Sequence, residues 1–246
     1  MTTQEYNVEV KDDFIERQAK AQPIQALSEL VWNSLDADAT EVSVELEHDA
    51  LGGLSKIYVR DNGHGIPRDE APDLFRSLGG SWKRTAMQTK KLKRMLHGQE
   101  GRGRFKAFAL AQTVDWTVVY DKAGTPTKFD ITILEREISR VRISDETDFP
   151  GAKSGVIVAL SELKRQFTSL KPENAIQDLA EVFAIYLKDY RDVTIEYCGA
   201  KIDPALAIRE QWVFDLSPYV DEEGVEHPVT FEIIEWQRAT RRALYL

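Results

Sequence analysis

Three groups of residues have types and spacings suited to chemistry. The first is Glu29, Asn33 and Asp36 in the stretch ALSELVWNSLDADAT. Positions i, i+4 and i+7 share one helix face. Flanked by Leu30, Val31 and Leu35, that face is expected to be partly buried, and a buried carboxylate beside a carboxamide needs a partner. A hydrated Mg²⁺ carrying a polyphosphate would supply one. Asn33 offers the hard cation a neutral oxygen, and Glu29 is able to take a proton from an attacking water. A solvated acidic helix face, or a helix C-cap around Asp36, accounts for the same residues.

The second group is Asp61-Asn62-Gly63-His64-Gly65-Ile66-Pro67, directly after the apolar run Ile57-Tyr58-Val59. An ionised Asp is an acceptor only and suits the exocyclic amine of adenine. Gly63 and Gly65 permit a turn that brings backbone close to a ligand. A plain Asn-Gly hairpin turn is the alternative. The third group is Gly98-Gln99-Glu100-Gly101-Arg102-Gly103-Arg104-Phe105-Lys106, opening a helix. Free N–H groups there form an anion site. It is not a Walker A loop, because Arg104-Phe105 stand where Lys-Ser/Thr would, and it is not GxGxxG. Taken alone, it also reads as a surface loop.

The elements that must position these residues follow from periodicity. Helices are expected over 12–21 and 24–36, the second with Ile24, Leu27, Leu30, Val31 and Leu35 at helical spacing and Pro23 in its first turn. Val42, Val44 and Leu46 alternate as a strand, and 57–59 is a second. A short helix over 69–78 precedes a stretch, 79–103, that is glycine-rich at both ends and basic between, with Lys83, Arg84, Lys90, Lys91, Lys93 and Arg94. A connection of that length is functional or disordered. It is expected to be a solvated lid over phosphates, ordered by nucleotide, with DNA contact as a second use. A helix over 104–112 follows, then strands at 114–120, 128–134, 141–143 and 156–160, a long helix over 172–190 and a strand at 193–197. This order gives an α+β, two-layer pattern rather than regular βαβ alternation.

Composition narrows the classes. The chain has 246 residues, about two-fifths of them apolar, enough for a sizeable core. Its net charge of −9 argues against binding nucleic acid over its whole surface. Cys198 is its only cysteine, so no intrachain disulfide forms, which suits a reducing cytoplasm. No apolar run approaches the roughly 20 residues of a membrane span. The opening MTTQEYNVEV lacks the pattern of a secretory leader. The four histidines show no metal-ligand spacing.

In order along the chain, the three groups resemble the GHKL superfamily: gyrase, the ninety-kilodalton heat-shock chaperones, histidine kinases and MutL. The helix ELVWNSLDADAT is most similar to MutL, MORC and the chaperones, and GRGRFKAF to MORC and chaperone-like members. The resemblance covers roughly residues 14–160. It implies a Bergerat-type mixed, curved sheet with helices on one face and an ATP lid. It also implies roles: Glu29 as general base, Asn33 as the Mg²⁺ ligand, and Asp61 as the adenine reader. Asp36 would make a water-mediated contact. Gly63, Gly65 and Ile66 would shape the base pocket. Gly101, Arg102, Gly103, Arg104 and Phe105 would form the phosphate loop, and Lys106 would add charge to it. Hydrolysis of ATP driving a dimer clamp, chaperone-like or DNA-associated, is the implied activity. Histidine-kinase phosphotransfer and nucleotide binding without turnover are the alternatives. One position departs from the family. Many relatives carry a Gly-Thr whose Thr supports the adenine-binding Asp; here the segment reads Ser154-Gly155-Val156, and the Val156 side chain cannot donate a hydrogen bond. Either Ser154 or a water replaces it, or base recognition is looser. Residues 1–203 are expected to form the ATP-binding domain. Residues 204–246, with the strand-like 229–236, are expected to begin a truncated, transducer-like second domain, leaving the chain slow in turnover.

Overall fold

A computed structural model describes residues 21–76, 88–97 and 103–238. The helix expected over 12–21 lies outside them, Ala21 excepted. Helix α1 (Pro23–Asp36) carries Pro23 in its first turn, where a missing N–H leaves no bond unmade. Its Leu27, Leu30, Val31 and Leu35 stripe is buried. Strands β1 (Glu41–His48) and β2 (Leu54–Asp61) and the short helix α2 (Ala71–Arg76) follow. Next come β3 (Ala111–Lys122), β4 (Thr125–Leu134), β5 (Val141–Ile143), β6 (Thr147–Asp148) and β7 (Gly155–Leu163). Helix α3 (Pro172–Asp189) then leads to β8 (Thr194–Tyr197), β9 (Ala200–Lys201), β10 (Ile208–Val220) and β11 (Glu226–Trp236).

Nine strands form one sheet in the order β5-β4-β3-β7-β2-β1-β8-β9, with β6 paired to β4. All pairs are antiparallel except β1 with β8, so the sheet is mixed. The parallel pair follows from the crossover through α3, which a tight turn would not allow. Alternation decides the faces. Val114, Trp116, Val118 and Tyr120 of β3 and Phe129, Ile131 and Ile133 of β4 point into the core. Their neighbours point outward, where Thr117 donates to Asp130 at 2.7 Å and Thr132 to Asp115 at 2.5 Å. Helices α1 and α3 cover the inner face and share one apolar core with it. This is the two-layer α+β sandwich expected from the sequence.

Two elements differ from expectation. The helix over 104–112 is a 3₁₀ helix over Gly103–Ala109, and Gln112 already belongs to β3. Phe105 and Phe108 are both buried, and a three-residue turn places i and i+3 on one side. The long strand β10 was not legible as a strand. It pairs with β11 in a separate two-stranded sheet, setting Trp212, Phe214 and Leu216 opposite Ile233, Phe231 and Val229. Trp212, Phe214, Leu216, Phe231 and Ile233 of this apolar face are exposed.

Residues 88–97 also depart from the solvated basic stretch read in the sequence. Lys90, Lys91 and Lys93 are exposed, but Arg94 is buried. Its guanidinium donates to the carbonyls of Ala39 (2.8 Å) and Asp38 (3.2 Å) and to the Tyr186 hydroxyl (3.1 Å). Asp38, in the left-handed region at φ 64°, accepts the N–H groups of Lys91 (2.8 Å) and Leu92 (3.1 Å). Burial by itself would raise its carboxyl, but hydrogen bonds from Thr89, Lys91 and Leu92 outweigh that and hold it below the ordinary value. A lowered carboxylate contributes stability that is present above its unfolded pKa and lost as pH falls through the folded one. Asp38→Ala is therefore expected to cost about 1 kcal/mol at neutral pH, because two part-buried amides lose their acceptor. The cost should shrink in acid. Urea melts at two pH values, with amide exchange at Lys91 and Leu92, check this; unchanged protection of those two amides would show that Asp38 does not hold the segment.

Candidate functional site

The last two turns of α1, the end of β2 and the start of β7 converge on one cleft. Asp61 terminates β2 at its base. Ser34 Oγ donates to Asp61 Oδ2 at 2.7 Å, while Oδ1 accepts the N–H of Gly63 (2.9 Å) and of Val156 (3.1 Å). A carboxylate has about four acceptor sites, so three protein donors leave one for a ligand. The expectation for the Val156 position is corrected here. Its side chain cannot donate, but its backbone N–H does, and the hydroxyl comes from Ser34 rather than Ser154. Ser34 had a signal in the sequence: a small polar residue on the apolar stripe of α1, where a buried hydroxyl requires a partner.

The loop after Asp61 is held by close backbone contacts. A Cβ on Gly65, at φ 71°, would stand 2.2 Å from the Val119 carbonyl oxygen, so no other residue fits there. A Cβ on Gly155 would stand 2.1 Å from the Asp61 carbonyl oxygen. Asn62 does not form a hairpin turn. Its Oδ1 accepts the N–H groups of Thr40 and Glu41, each at 2.9 Å, which ties the loop to the start of β1.

The cleft holds about 140 Å³ of space for water-sized molecules and opens to solvent. Asn33, Asp36, His64, Gly65 and Ile66 line it, along with the apolar Leu74, Phe75, Trp116 and Val158. Gly63 stands beside it, its N–H spent on Asp61. The apolar wall from Leu74, Phe75 and Trp116 was not singled out in the sequence, because it comes from two elements remote from the motifs. Asn33 is exposed at the mouth rather than partly buried. Asp36 is buried, and its Oδ1 accepts the N–H of His97 at 3.0 Å. The His97 ring stacks on Trp32 at 3.9 Å, which fixes the chain just ahead of the glycine cluster.

Glu29 lies five residues back along α1 from Ser34, about 7 Å by helix rise. Its Oε1 is bonded to Lys106 Nζ at 2.5 Å. On its other side, a Cβ on Gly103 would fall 2.3 Å from Oε2. The glycine cluster thus meets the first group through Gly103 and Lys106. Phe105 is buried in the core, and Arg104 takes part in the 3₁₀ turn. Gly101 and Arg102 lie outside the described residues, as does most of the expected lid.

Residues 21–149, just over half of the chain, match the family described as histidine kinase-, DNA gyrase B- and HSP90-like ATPases. The chain belongs to that family. Over a shorter stretch it is similar to proteins named DNA mismatch repair protein MutL. Identity is 56% over 48 residues with that of Thiobacillus denitrificans, covering 20% of this chain and 8% of the relative. It is 49% over 53 residues with that of Halothermothrix orenii, covering 22% and 8%. The match therefore spans less than a tenth of the length of these relatives. Among the described residues, no helix is long and apolar enough to cross a membrane.

A test of the Gly103 contact follows from its geometry. Gly103→Ala places a methyl where the Glu29 carboxylate now sits. The carboxylate is the far end of a flexible side chain, so it swings aside at little cost to stability. A reacting group displaced by about 1 Å loses on the order of 10²-fold in rate. If the chain hydrolyses ATP with Glu29 as base, the expected result is a melting temperature near wild type with turnover down by at least about tenfold. A variant that turns over normally would show that Glu29 need not stay where the structure holds it.

Proposed function

We propose that this chain binds Mg-ATP and hydrolyses it, and that the nucleotide state drives a conformational switch between paired copies. The observation that carries this reading is the Asp61 carboxylate, held by three protein donors with one acceptor site left over, at the base of an apolar-walled cleft. A flat purine with an exocyclic amine fits that chemistry. Asp61 reads the amine, and Gly65, Ile66 and Trp116 flank the ring. Asn33, exposed at the mouth, presents the neutral oxygen that a hydrated Mg²⁺ accepts. The metal, when bound, neutralises phosphate charge. Glu29, one turn back along α1, orients and deprotonates the attacking water. Gly103 offers backbone to the phosphates, the role assigned also to Gly101 and Arg102 before it, and Asp36 supports the site through its bond to His97.

The β10–β11 hairpin supports a domain boundary near residue 203. It forms its own sheet, and two strands alone are marginally stable. Its exposed apolar face suits a second, transducer-like unit. The MutL relatives, named for DNA mismatch repair, favour a DNA-associated clamp over a chaperone.

Phosphate release from Mg-ATP by the wild-type chain, alongside a radiolabel-transfer assay, separates the readings. Release without labelled protein supports the ATPase. Labelled protein would point to the histidine-kinase alternative. Binding with neither outcome would reduce the chain to a nucleotide-sensing module. A gel-shift series across salt then tests the DNA arm, since phosphate contacts weaken steeply with salt.

A further inference from the structure

We propose that Lys106 is a nucleotide-operated latch on Glu29: it holds the carboxylate while no triphosphate is bound, and releases it by moving to the terminal phosphate. The inference rests on the ATP reading above and adds a regulatory step to it. Glu29 and Lys106 come from separate sequence groups 77 residues apart, yet their side chains are bonded at 2.5 Å. Both are only about one-fifth exposed, at 23% and 21%. Their packing makes the pair specific. Glu29 Oε2 faces the Gly103 backbone, where a Cβ would stand 2.3 Å away, while Oε1 is taken by the ammonium.

An ammonium bonded to Oε1 holds the carboxylate in one orientation. To turn toward a water as a base, Glu29 must release it. Gly103 is fixed between α1 and β3 by the buried Phe105 and Phe108. Lys106 is the movable one: an ammonium on a flexible four-carbon stem, with no fork geometry to preserve. The terminal phosphate of a nucleoside triphosphate carries more charge than a carboxylate and accepts charge-assisted bonds from several directions. It therefore competes for the ammonium. A diphosphate lacks that group and leaves the latch closed. Base release is in this way coupled to the third phosphate rather than to occupancy of the adenine cleft, and water attack is withheld until there is a bond to break.

The test is a double-mutant cycle on binding, which needs no turnover. Affinities for a non-hydrolysable ATP analogue and for ADP, both with Mg²⁺, are measured by calorimetry on wild type, E29Q, K106M and the double variant. E29Q should tighten the triphosphate about tenfold, because the ammonium no longer has to leave a carboxylate. ADP affinity should stay within about twofold. K106M should weaken the triphosphate about tenfold and spare ADP, and in the K106M background E29Q should have no further effect. An E29Q effect of equal size in both backgrounds, or equal for ATP and ADP, overturns the latch while leaving the ATP reading intact. Wild type that binds neither nucleotide overturns the ATP reading, and the latch with it. If K106M does not fold, the E29Q comparison carries the test alone: tightening of the triphosphate only supports the latch, and any other pattern overturns it.

Discussion

Replacing Glu29 with alanine is expected to leave nucleotide binding intact, or tighter, and to lower phosphate release by about 10²-fold or more. Among the described residues, Glu29 is the acid on α1 that faces the glycine cluster: Lys106 and Gly103 both close on its carboxylate. Asn33 and Asp36 lie further along the same helix, at the cleft. On the proposed reading, removing Glu29 as base raises the barrier without touching the groups proposed to grip the purine. Binding survives because Asp61, Ser34 and Val156 form their network more than a helical turn away. The alanine also frees Lys106 for the phosphates. Calorimetry and a coupled phosphate assay on the same preparations give both numbers. Turnover that survives the substitution would remove Glu29 from the reaction and leave its ion pair a structural one.

The second large effect is expected at the other end of the cleft. Asp61→Asn should abolish measurable ATP binding while leaving the fold as stable as wild type, and more so above the raised Asp61 value. The amide oxygen can take the place of Oδ1 and accept from Gly63 and Val156, and the amide NH₂ can donate to Ser34 Oγ in place of the bond that Oδ2 accepts. The protein network is therefore satisfied. The group that then faces the cleft is a donor, and a purine amine meeting it finds donor against donor. Mismatched polar groups of this kind account for discrimination of about 10⁴-fold or more in buried sites.

The stability half of the prediction follows from titration. Burial pushes the Asp61 carboxyl above its ordinary value, against the hydrogen bonds from Ser34, Gly63 and Val156 and the nearby His64. The folded chain thus holds this proton more tightly than the unfolded chain. The contribution is fully present below the ordinary value of 3.8 and is lost as pH rises through the raised one. Above the raised value the ionised Asp61 is a cost that the neutral amide removes. In wild type, ATP affinity should fall as pH drops through that raised value, because protonation turns the remaining acceptor into a donor. Melting curves of both proteins from pH 4 to 8, with parallel calorimetry, measure both effects. A destabilised Asp61→Asn that still binds ATP would reverse the assignment on both counts.

Much of the fold was legible because it is periodic. The α1 stripe of Leu27, Leu30, Val31 and Leu35 and the alternation of Val114, Trp116 and Val118 each state a face without reference to anything distant. The three chemical groups were legible for a related reason: each is local, set by an i, i+4 spacing or by glycines a few residues apart. Even the unusual Val156 position was visible as a departure.

What the sequence could not state is which local groups meet. Ser34 reaches Asp61 across 27 residues, Lys106 reaches Glu29 across 77, and the Val156 N–H reaches Asp61 across 95. Such contacts depend on strand order: β7 lies beside β2 although α2 and strands β3 to β6 stand between them in the chain. A backbone N–H carries no letter of its own, so the donor at Val156 was invisible while its side chain misled. Arg94 read as one more cation in a basic run, because burial of a guanidinium requires carbonyls from Asp38 and Ala39 that only folding delivers. Residue types and short-range spacing therefore determined the family and the candidate chemistry. The tertiary structure alone decided who satisfies whom, because a buried polar group is partnered through space, and the distance along the chain does not enter that energy.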